Sequence, residues 1–288
     1  MKALEVDVFV TLAILRRHIN PLQSPLYYLP PDLFPEIASH LTSETDLVNA
    51  THVSYHMRNT LLSHPGLWSH LNFEHEMRGR MFFELSGQMP LHIDMASDST
   101  KIAGSLAELR QQSNRIVTLK LRQWLIQRRF LSEHLPSLRR LEIVYDHYHD
   151  DTWEEEEWDT LWAPVWGPAE EVTPWSFPSL ISLIVHDFKS IPISAPNITR
   201  FRFQAEESAI DTTELLDFLD SCPLLEHIDI LYVYDFPRGE PGLVVSLPSL
   251  RTYTQTTLDQ VPSPAILDAL SLPPSVQSCS GSEMTAKR

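Results

Sequence analysis

Apolar side chains recur at three- and four-residue spacing between residues 29 and 73, which is the pattern of short amphipathic helices. A first helix is predicted after Pro30 and Pro31, since proline is tolerated in a first helical turn. Thr45 or Asp46 is expected to cap a second helix. The apolar positions are Leu33, Phe34, Ile37, Ala38 and Leu41 in the first helix, Leu47, Val48, Ala50 and Val53 in the second, and Met57, Leu61 and Leu62 in a third.

A second pattern begins at residue 116 and has period two at its end. Its unit is Φ-x-x-Φ-x-Φ, where Φ is apolar, and the alternating end places every second side chain on one face of a strand. The copies are Ile116-Leu119-Leu121, Leu138-Leu141-Ile143, Leu180-Leu183-Val185, Ile198-Phe201-Phe203, Leu225-Ile228-Ile230 and, weakly, Leu250-Tyr253. In five of the six a proline stands two residues before the first apolar position: Pro136, Pro178, Pro196, Pro223 and Pro248.

The first apolar positions of these copies lie 22, 42, 18, 27 and 25 residues apart. Most of these spacings are in or near the roughly 20–29 residues of a leucine-rich repeat, and the longest fits one repeat with an insertion or two repeats. The asparagine or cysteine that normally follows the strand is absent, so the copies resemble degenerate leucine-rich repeats. We expect an α/β fold with an irregular repeat solenoid on a parallel sheet. The alternative is a compact α/β domain whose buried strands look alike.

The intervals around these strands also carry patterns. Helical spacing predicts helices within residues 74–87 and 98–110, and alternation predicts a strand within residues 89–95. Several intervals between the repeat copies are expected to hold a helical or loop stretch, such as residues 124–135 and 214–221.

The order of features in residues 29–73 resembles an F-box. The resemblance is carried by an opening Leu-Pro pair, the first-helix apolar positions, Asp46-Leu47, Val53-Ser54 and a closing Pro65-x-Leu67-Trp68. Many members of that family have a Cys-Arg-Arg-Trp-like run after the valine, whereas here Met57 replaces the tryptophan and only Arg58 agrees. The resemblance implies a three-helix module that docks a Skp-family linker subunit. The residues it assigns to that contact, some of which must instead be core, are Leu29, Pro30, Leu33, Ile37, Leu41, Leu47, Val53, Leu67 and Trp68.

F-box proteins join such a module to a C-terminal recognition domain, and the repeats have that place here. The resemblance implies the substrate-recognition subunit of an SCF-type cullin–RING ubiquitin ligase, which needs no catalytic residue. A repeat-type scaffold without a ubiquitin ligase role is the alternative, favoured if the helices leave no free apolar face. The predicted organisation is an N-terminal extension at 1–28, the F-box at 29–73, the repeat domain at 74–272 and a disordered tail at 273–288.

Charge is distributed unevenly along the chain of 288 residues, whose formal net charge is −16. Between Leu141 and Phe188 there are twelve acidic residues and no Lys or Arg, whereas the remainder has 26 acidic and 22 basic residues. The net charge argues against nucleic-acid binding through phosphate neutralisation.

The acidic interval contains residues 147–176, an insertion with five of the seven tryptophans. Aromatic side chains anchor protein interfaces and carboxylates steer a basic partner, so we hypothesise a basic target here. The alternative is a solvated loop that packs its tryptophans on its own scaffold. The candidate target-binding residues are Trp153, Glu155, Glu156, Trp158, Trp162 and Trp166.

The sequence lacks the common motifs for catalysis or cofactor binding, so it does not favour an enzyme. The sequence lacks phosphate-binding glycine loops and a G-x-S-x-G elbow, and neither Cys222 nor Cys279 has a nearby His or a basic setting. His147 and His149, and separately His52 and His56, lack a full metal-ligand set. We therefore expect no enzymatic activity, no cofactor and no metal.

The two cysteines cannot form a disulfide framework, which indicates a reducing compartment, either cytoplasmic or nuclear. The apolar run in residues 6–15 is too short to span a bilayer and lacks the flanks of a signal peptide, so a helical or loosely held extension is expected there.

Overall fold

The computed structural model describes residues 11, 29–30, 32–41, 43–72, 76–95, 109–122, 135–144, 175–186, 193–204, 212–231, 244–256, 269–273 and 276–280. The chain divides into two compact units. The first comprises Met1–His70 with Arg80–Pro90, and the second comprises Leu71–Gly79 with Leu91–Arg288.

The first unit is helical. It contains α1 (Leu33–Ser39), α2 (Glu44–Val53), α3 (Tyr55–Leu62), a 3₁₀ turn (Pro65–Trp68) and the end of α4 (Glu76–Leu85). The N-cap of α2 is Ser43, whose hydroxyl accepts from the Thr45 backbone N–H, so the predicted cap at Thr45 or Asp46 is wrong. Ser54 ends α2 in an extended conformation and caps α3 by accepting from the Met57 N–H. Two helices can therefore follow each other with one residue between them.

The core of the first unit is built around Trp68. Its indole N–H donates to the Leu61 carbonyl at 3.0 Å, and its ring meets Phe82 edge to face, with centroids 4.9 Å apart. Phe34 of α1 contacts the ring of His56 in α3 in the same geometry. The other buried apolar residues of these helices are Ala38, Leu47, Ala50 and Leu61.

The second unit is built on a nine-stranded sheet of order β1-β2-β3-β4-β6-β8-β9-β11-β13. From β2 to β13 every neighbouring pair is parallel. The prediction of an α/β fold with a parallel sheet is confirmed, and the strands follow one another in chain order. Their bounds are β1 His70–Asn72, β2 Leu91–Met95, β3 Ile116–Arg122, β4 Arg140–Val144, β6 Ser182–His186, β8 Arg200–Gln204, β9 His227–Leu231, β11 Thr252–Thr256 and β13 Gln277–Ser280.

The recurrent proline lies in a recurrent turn. In each of five copies the first Φ residue donates its N–H to the carbonyl three residues earlier, at 3.2 Å every time. The proline is the second residue of this turn, where its fixed φ is favourable and its missing N–H is not needed. The accepting residue directly before the proline is buried in all five: Leu135, Phe177, Ala195, Cys222 and Leu247.

Side chains alternate between a buried and an open face along each of the longer strands. The buried positions are those of the predicted repeat, including Leu119 and Leu121 in β3 and Phe201 and Phe203 in β8. Gln255 in β11 is the polar exception at such a position. The other face carries the half-buried and exposed side chains, most of them polar.

Two small parallel sheets accompany the main one. β5 (Trp175–Ser176) pairs with β7 (Ile193–Ser194), and β10 (Val245–Ser246) pairs with β12 (Leu270–Ser271). Each of these strands is an apolar residue and a serine directly before an apolar-Pro pair, a signal that the sequence contains and that was missed. Helix α5 (Thr212–Asp220) precedes β9 in place of such a strand and contacts β10.

The structure can be compared with the predictions made for individual segments. The helix expected within 74–87 and the strand within 89–95 are confirmed as α4 and β2, and the stretch at 214–221, for which helix and loop were both open, is helical as part of α5. The disordered tail from residue 273 is wrong for Gln277–Ser280, which form β13 against β11. Residues 1–28, apart from Thr11, and the acidic insertion, apart from Trp175 and Ser176, lie outside the described residues. None of the described helices has both the length and the apolar character to cross a membrane.

Candidate protein-docking surfaces

Helix α1 presents an apolar stripe to solvent. Leu33 and Ile37 of α1 are 43% and 46% exposed and lie four residues apart on one helical face, and Leu41, two residues beyond the end of the helix, is 37% exposed. Phe34 and Ala38, one position further along, are buried and supply the contact with the rest of the helical unit. The fully buried positions of this helix are thus Phe34 and Ala38, and the stripe leaves three large apolar side chains partly exposed to solvent.

Other exposed apolar side chains lie at the junction of α2 and α3. Val53 is the last residue of α2 and Tyr55 the first of α3, and both are more than half exposed. Leu62, at the end of α3, is also exposed. Sequence reasoning did not select Tyr55 or Leu62, because apolar spacing alone does not say which side of a short helix is covered.

The nine predicted linker-binding residues divide into three groups in the structure. Leu47 and Trp68 are buried and belong to the core, while Leu29 and Leu67 are half-buried. The exposed members are Pro30, Leu33, Ile37, Leu41 and Val53. The predicted target-binding residues Trp153, Glu155, Glu156, Trp158, Trp162 and Trp166 lie outside the described residues.

The open face of the main sheet is the second candidate surface. The strand register places side chains in rows that run across the strands. One row holds Thr118, Arg140, Ser182, Arg200, His227 and Thr252, and the next holds Lys120, Glu142, Ile184, Arg202, Asp229 and Thr254.

Charges of opposite sign alternate along the second row and pair between neighbouring strands. Lys120 lies 3.0 Å from Glu142, and Arg202 lies 2.7 Å from Asp229. Arg140, in the first row, is 3.6 Å from the same Glu142. Such partly exposed pairs each stabilise the fold by about 0–1 kcal/mol, so their arrangement matters more for what the face can bind.

Two histidines make equivalent hydrogen-bond contacts with threonines of the first row. His227 is in that row, and His92 on β2 is paired with its first member, Thr118. His92 Nδ1 lies 2.9 Å from Thr118 Oγ1, and His227 Nδ1 lies 2.6 Å from Thr252 Oγ1, each across one strand boundary. His52, considered above as a metal ligand, instead has Nδ1 3.1 Å from a guanidinium nitrogen of Arg58. Within the described ranges, no three His, Cys, Asp or Glu side chains are placed to hold a metal ion.

Cys222 lies in the core, at the start of one of the repeated turns. Its side chain is fully buried, and burial raises the pKa of the thiol, against a smaller lowering by its contact with Ser221. A protonated and inaccessible thiol is a poor nucleophile. Its role in the structure is to fill the repeat position that leucine, phenylalanine or alanine occupies in the other turns.

Comparisons with known proteins give no independent assignment. A scan against models of protein families finds no match, and a search of the curated proteins finds no similar sequence.

Proposed function

We propose that this chain is the substrate-recognition subunit of an SCF-type cullin–RING ubiquitin ligase. Its N-terminal helices would dock a Skp-family linker subunit, and its repeat-bearing unit would hold a protein target. The observation that carries the proposal is the exposed stripe of Leu33, Ile37 and Leu41 beside the buried Phe34 and Ala38. An uncovered apolar stripe on a small helical module is a typical partner-docking surface.

The division of the predicted residues supports this docking role. An F-box module needs some of its apolar positions as core and others as interface, and Leu47 and Trp68 are buried while Leu33 and Ile37 are not. We infer that the linker contacts the stripe and the exposed Val53, and that Trp68 acts indirectly by fixing the helices that present them.

The second unit suits a recognition domain of the leucine-rich-repeat-like kind. Its parallel strands follow chain order and present one mostly polar face, and five of them follow the same type of turn. We propose that these strands form the predicted irregular solenoid. A target held on its open face would be brought close to ubiquitin delivered by another subunit, which raises the effective concentration of the acceptor lysine without catalytic groups in this chain. Such a subunit would work in the cytoplasm or the nucleus.

The alternative is a repeat-type scaffold without a ubiquitin ligase role. That alternative requires that the N-terminal helices leave no free apolar face. The exposure of Leu33, Ile37 and Leu41 favours the receptor over this scaffold.

Co-expression with a Skp-family linker tests the proposal. The wild-type chain should co-purify with the linker at one to one, and the Leu33→Asp/Ile37→Asp variant should not. A matched control, Ile181→Asp/Val244→Asp, places the same charges at two exposed apolar residues of the sheet unit and should retain the linker. Failure of the wild type to bind, or equal binding by both double variants, would contradict the proposed docking surface.

The hypothesis of a basic target rests on the acidic insertion and stays a prediction. Its test is target binding by a variant in which Glu154 to Glu157 are replaced by glutamine. Binding that is insensitive both to this change and to salt would remove the hypothesis.

A further inference from the structure

The centre of the open face is positive, in contrast to the chain as a whole. Strand β6 lies between β4 and β8, and the register places Ser182 directly between Arg140 and Arg200. In the next row Ile184 lies between Glu142 and Arg202. We call Arg140, Arg200 and Arg202, with Ser182 and Ile184 between them, the arginine patch.

The patch forms a shallow trough along β6, because long arginine side chains on β4 and β8 lie on either side of short or apolar ones on β6. Neighbouring strands are about 4.8 Å apart, so the Cα atoms of Arg140 and Arg200 are about 10 Å apart with the short Ser182 side chain between them. Ile184 gives the trough a half-buried apolar floor. Long cationic side chains thus border a strip of small and apolar ones.

Much of the positive charge in the patch is available to a ligand. Among the described residues the exposed Arg200 guanidinium has no hydrogen bond and no ion pair. Arg140 has only the 3.6 Å contact with Glu142, a carboxylate that Lys120 already approaches to 3.0 Å. Arg202 is more firmly engaged, with its Nε and a terminal nitrogen both on Asp229 Oδ2, at 2.8 and 2.7 Å.

We propose that the arginine patch binds an extended acidic segment of a partner protein. Two carboxylates of that segment would each accept paired hydrogen bonds from Arg140 and Arg200, since the guanidinium fork matches a carboxylate. An apolar side chain between them would lie on Ile184. The formal charge of −16 is a property of the whole chain, whereas a ligand on the patch responds chiefly to charges within the screening length of about 8 Å in physiological salt.

Nucleic acid fits the same patch less well. A phosphate backbone needs a continuous run of cations, whereas Glu142 and Asp229 interrupt this one. Alternating charge with an apolar centre is better matched by a peptide.

The inference deepens the proposed function, because it assigns an acidic partner to the open face of the recognition unit. It rests on that function only for the fate of the bound protein. Binding to the patch is measured on the full chain without a linker, so the two proposals can fail separately.

The test is fluorescence anisotropy with a labelled oligoglutamate peptide that has one central leucine, at low salt. The wild type should bind it, and Arg140→Gln/Arg200→Gln should weaken binding by about tenfold or more. The matched control Arg80→Gln/Arg251→Gln removes the same charge from two exposed arginines outside the patch and should change binding less than about twofold.

The proposal also predicts that one variant binds the peptide more tightly than the wild type. Asp229→Asn removes the carboxylate that engages Arg202 and should tighten peptide binding about threefold or more. The proposal is overturned by no binding of the peptide to the wild type, or by equal losses in the two double arginine variants. Preferential binding of the corresponding oligolysine peptide or of an oligothymidylate would also overturn it.

Discussion

Leu33 and Phe34 are consecutive residues of α1 with opposite environments: Leu33 is 43% exposed, whereas Phe34 is 2% exposed and packs edge to face on His56. Both are large and apolar, so their hydrophobicity does not distinguish them. Their environments differ because neighbouring positions on a helix are rotated by about 100° around its axis. One belongs to the core and the other to the surface that we assign to the linker.

This pair predicts a separation of stability from binding. Phe34→Ala should lower the free energy of unfolding by about 3–5 kcal/mol, because it leaves a cavity in the core. Leu33→Asp should cost clearly less than Phe34→Ala, because Leu33 is already 43% exposed and its replacement opens no cavity in the core. Urea unfolding followed by circular dichroism measures both. Equal losses would show that Leu33 is part of the core.

The Trp68–Phe82 contact should be energetically coupled. Trp68→Phe removes the indole hydrogen bond to the Leu61 carbonyl and should cost about 0.5–1.5 kcal/mol of unfolding free energy, since that carbonyl keeps its hydrogen bond from the His64 backbone N–H at 3.1 Å. Combining Trp68→Leu with Phe82→Leu, each of which removes one ring, should reveal a coupling of about 0.5–1.5 kcal/mol for the edge-to-face contact. The double-mutant cycle is measured by urea unfolding, and strictly additive losses would contradict the contact.

Tyr253 and Gln255 form a buried polar pair in β11. The Tyr253 hydroxyl donates to Gln255 Oε1 at 2.9 Å, while Gln255 Nε2 is buried without a partner. Tyr253→Phe leaves both ends of the amide unpaired and should cost about 1–3 kcal/mol. Tyr253→Phe/Gln255→Met removes all of these polar groups and should be more stable than the single variant, as judged by urea midpoints. A double variant less stable than the single one would contradict the arrangement.

Tyr253 also predicts a dependence of stability on pH. Burial raises the pKa of its hydroxyl above the value of about 10 of an unfolded tyrosine. Above pH 10 the unfolded state therefore binds fewer protons than the folded state, and unfolding becomes more favourable. The contribution is fully present below pH 10 and is lost as the pH rises, by up to about 1.4 kcal/mol per pH unit. The stability difference between wild type and Tyr253→Phe should therefore shrink between pH 9 and pH 11, and a constant difference would contradict it.

The parallel sheet could be predicted because its signal is local. Each Φ-x-x-Φ-x-Φ copy carries its own alternation, and in five of the six a proline marks the turn before it. Strand β13 was missed because its sequence, QSCS, has no apolar alternation, and its conformation follows from pairing with Thr252–Gln255 of β11. The small sheets were missed because their two-residue strands are shorter than any periodicity.

The candidate docking surface could be predicted only as a set of residues. The F-box-like order of features selected both Ile37 and Trp68, but whether a residue is buried depends on how α1 and α3 pack. The arginine patch was not predicted at all. Arg140 and Arg200 are sixty positions apart in the sequence, and only the register through β6 makes them neighbours.

The central claim, that the α1 stripe docks a Skp-family linker, is tested most directly by isothermal titration of the purified chain with the purified linker. The account predicts one-to-one binding by the wild type and by Ile181→Asp/Val244→Asp. It predicts binding at least about 30-fold weaker for Leu33→Asp/Ile37→Asp, the loss expected when a central anchor worth about 2 kcal/mol is removed. No binding by the wild type, or an unchanged affinity in the Leu33→Asp/Ile37→Asp variant, would contradict it.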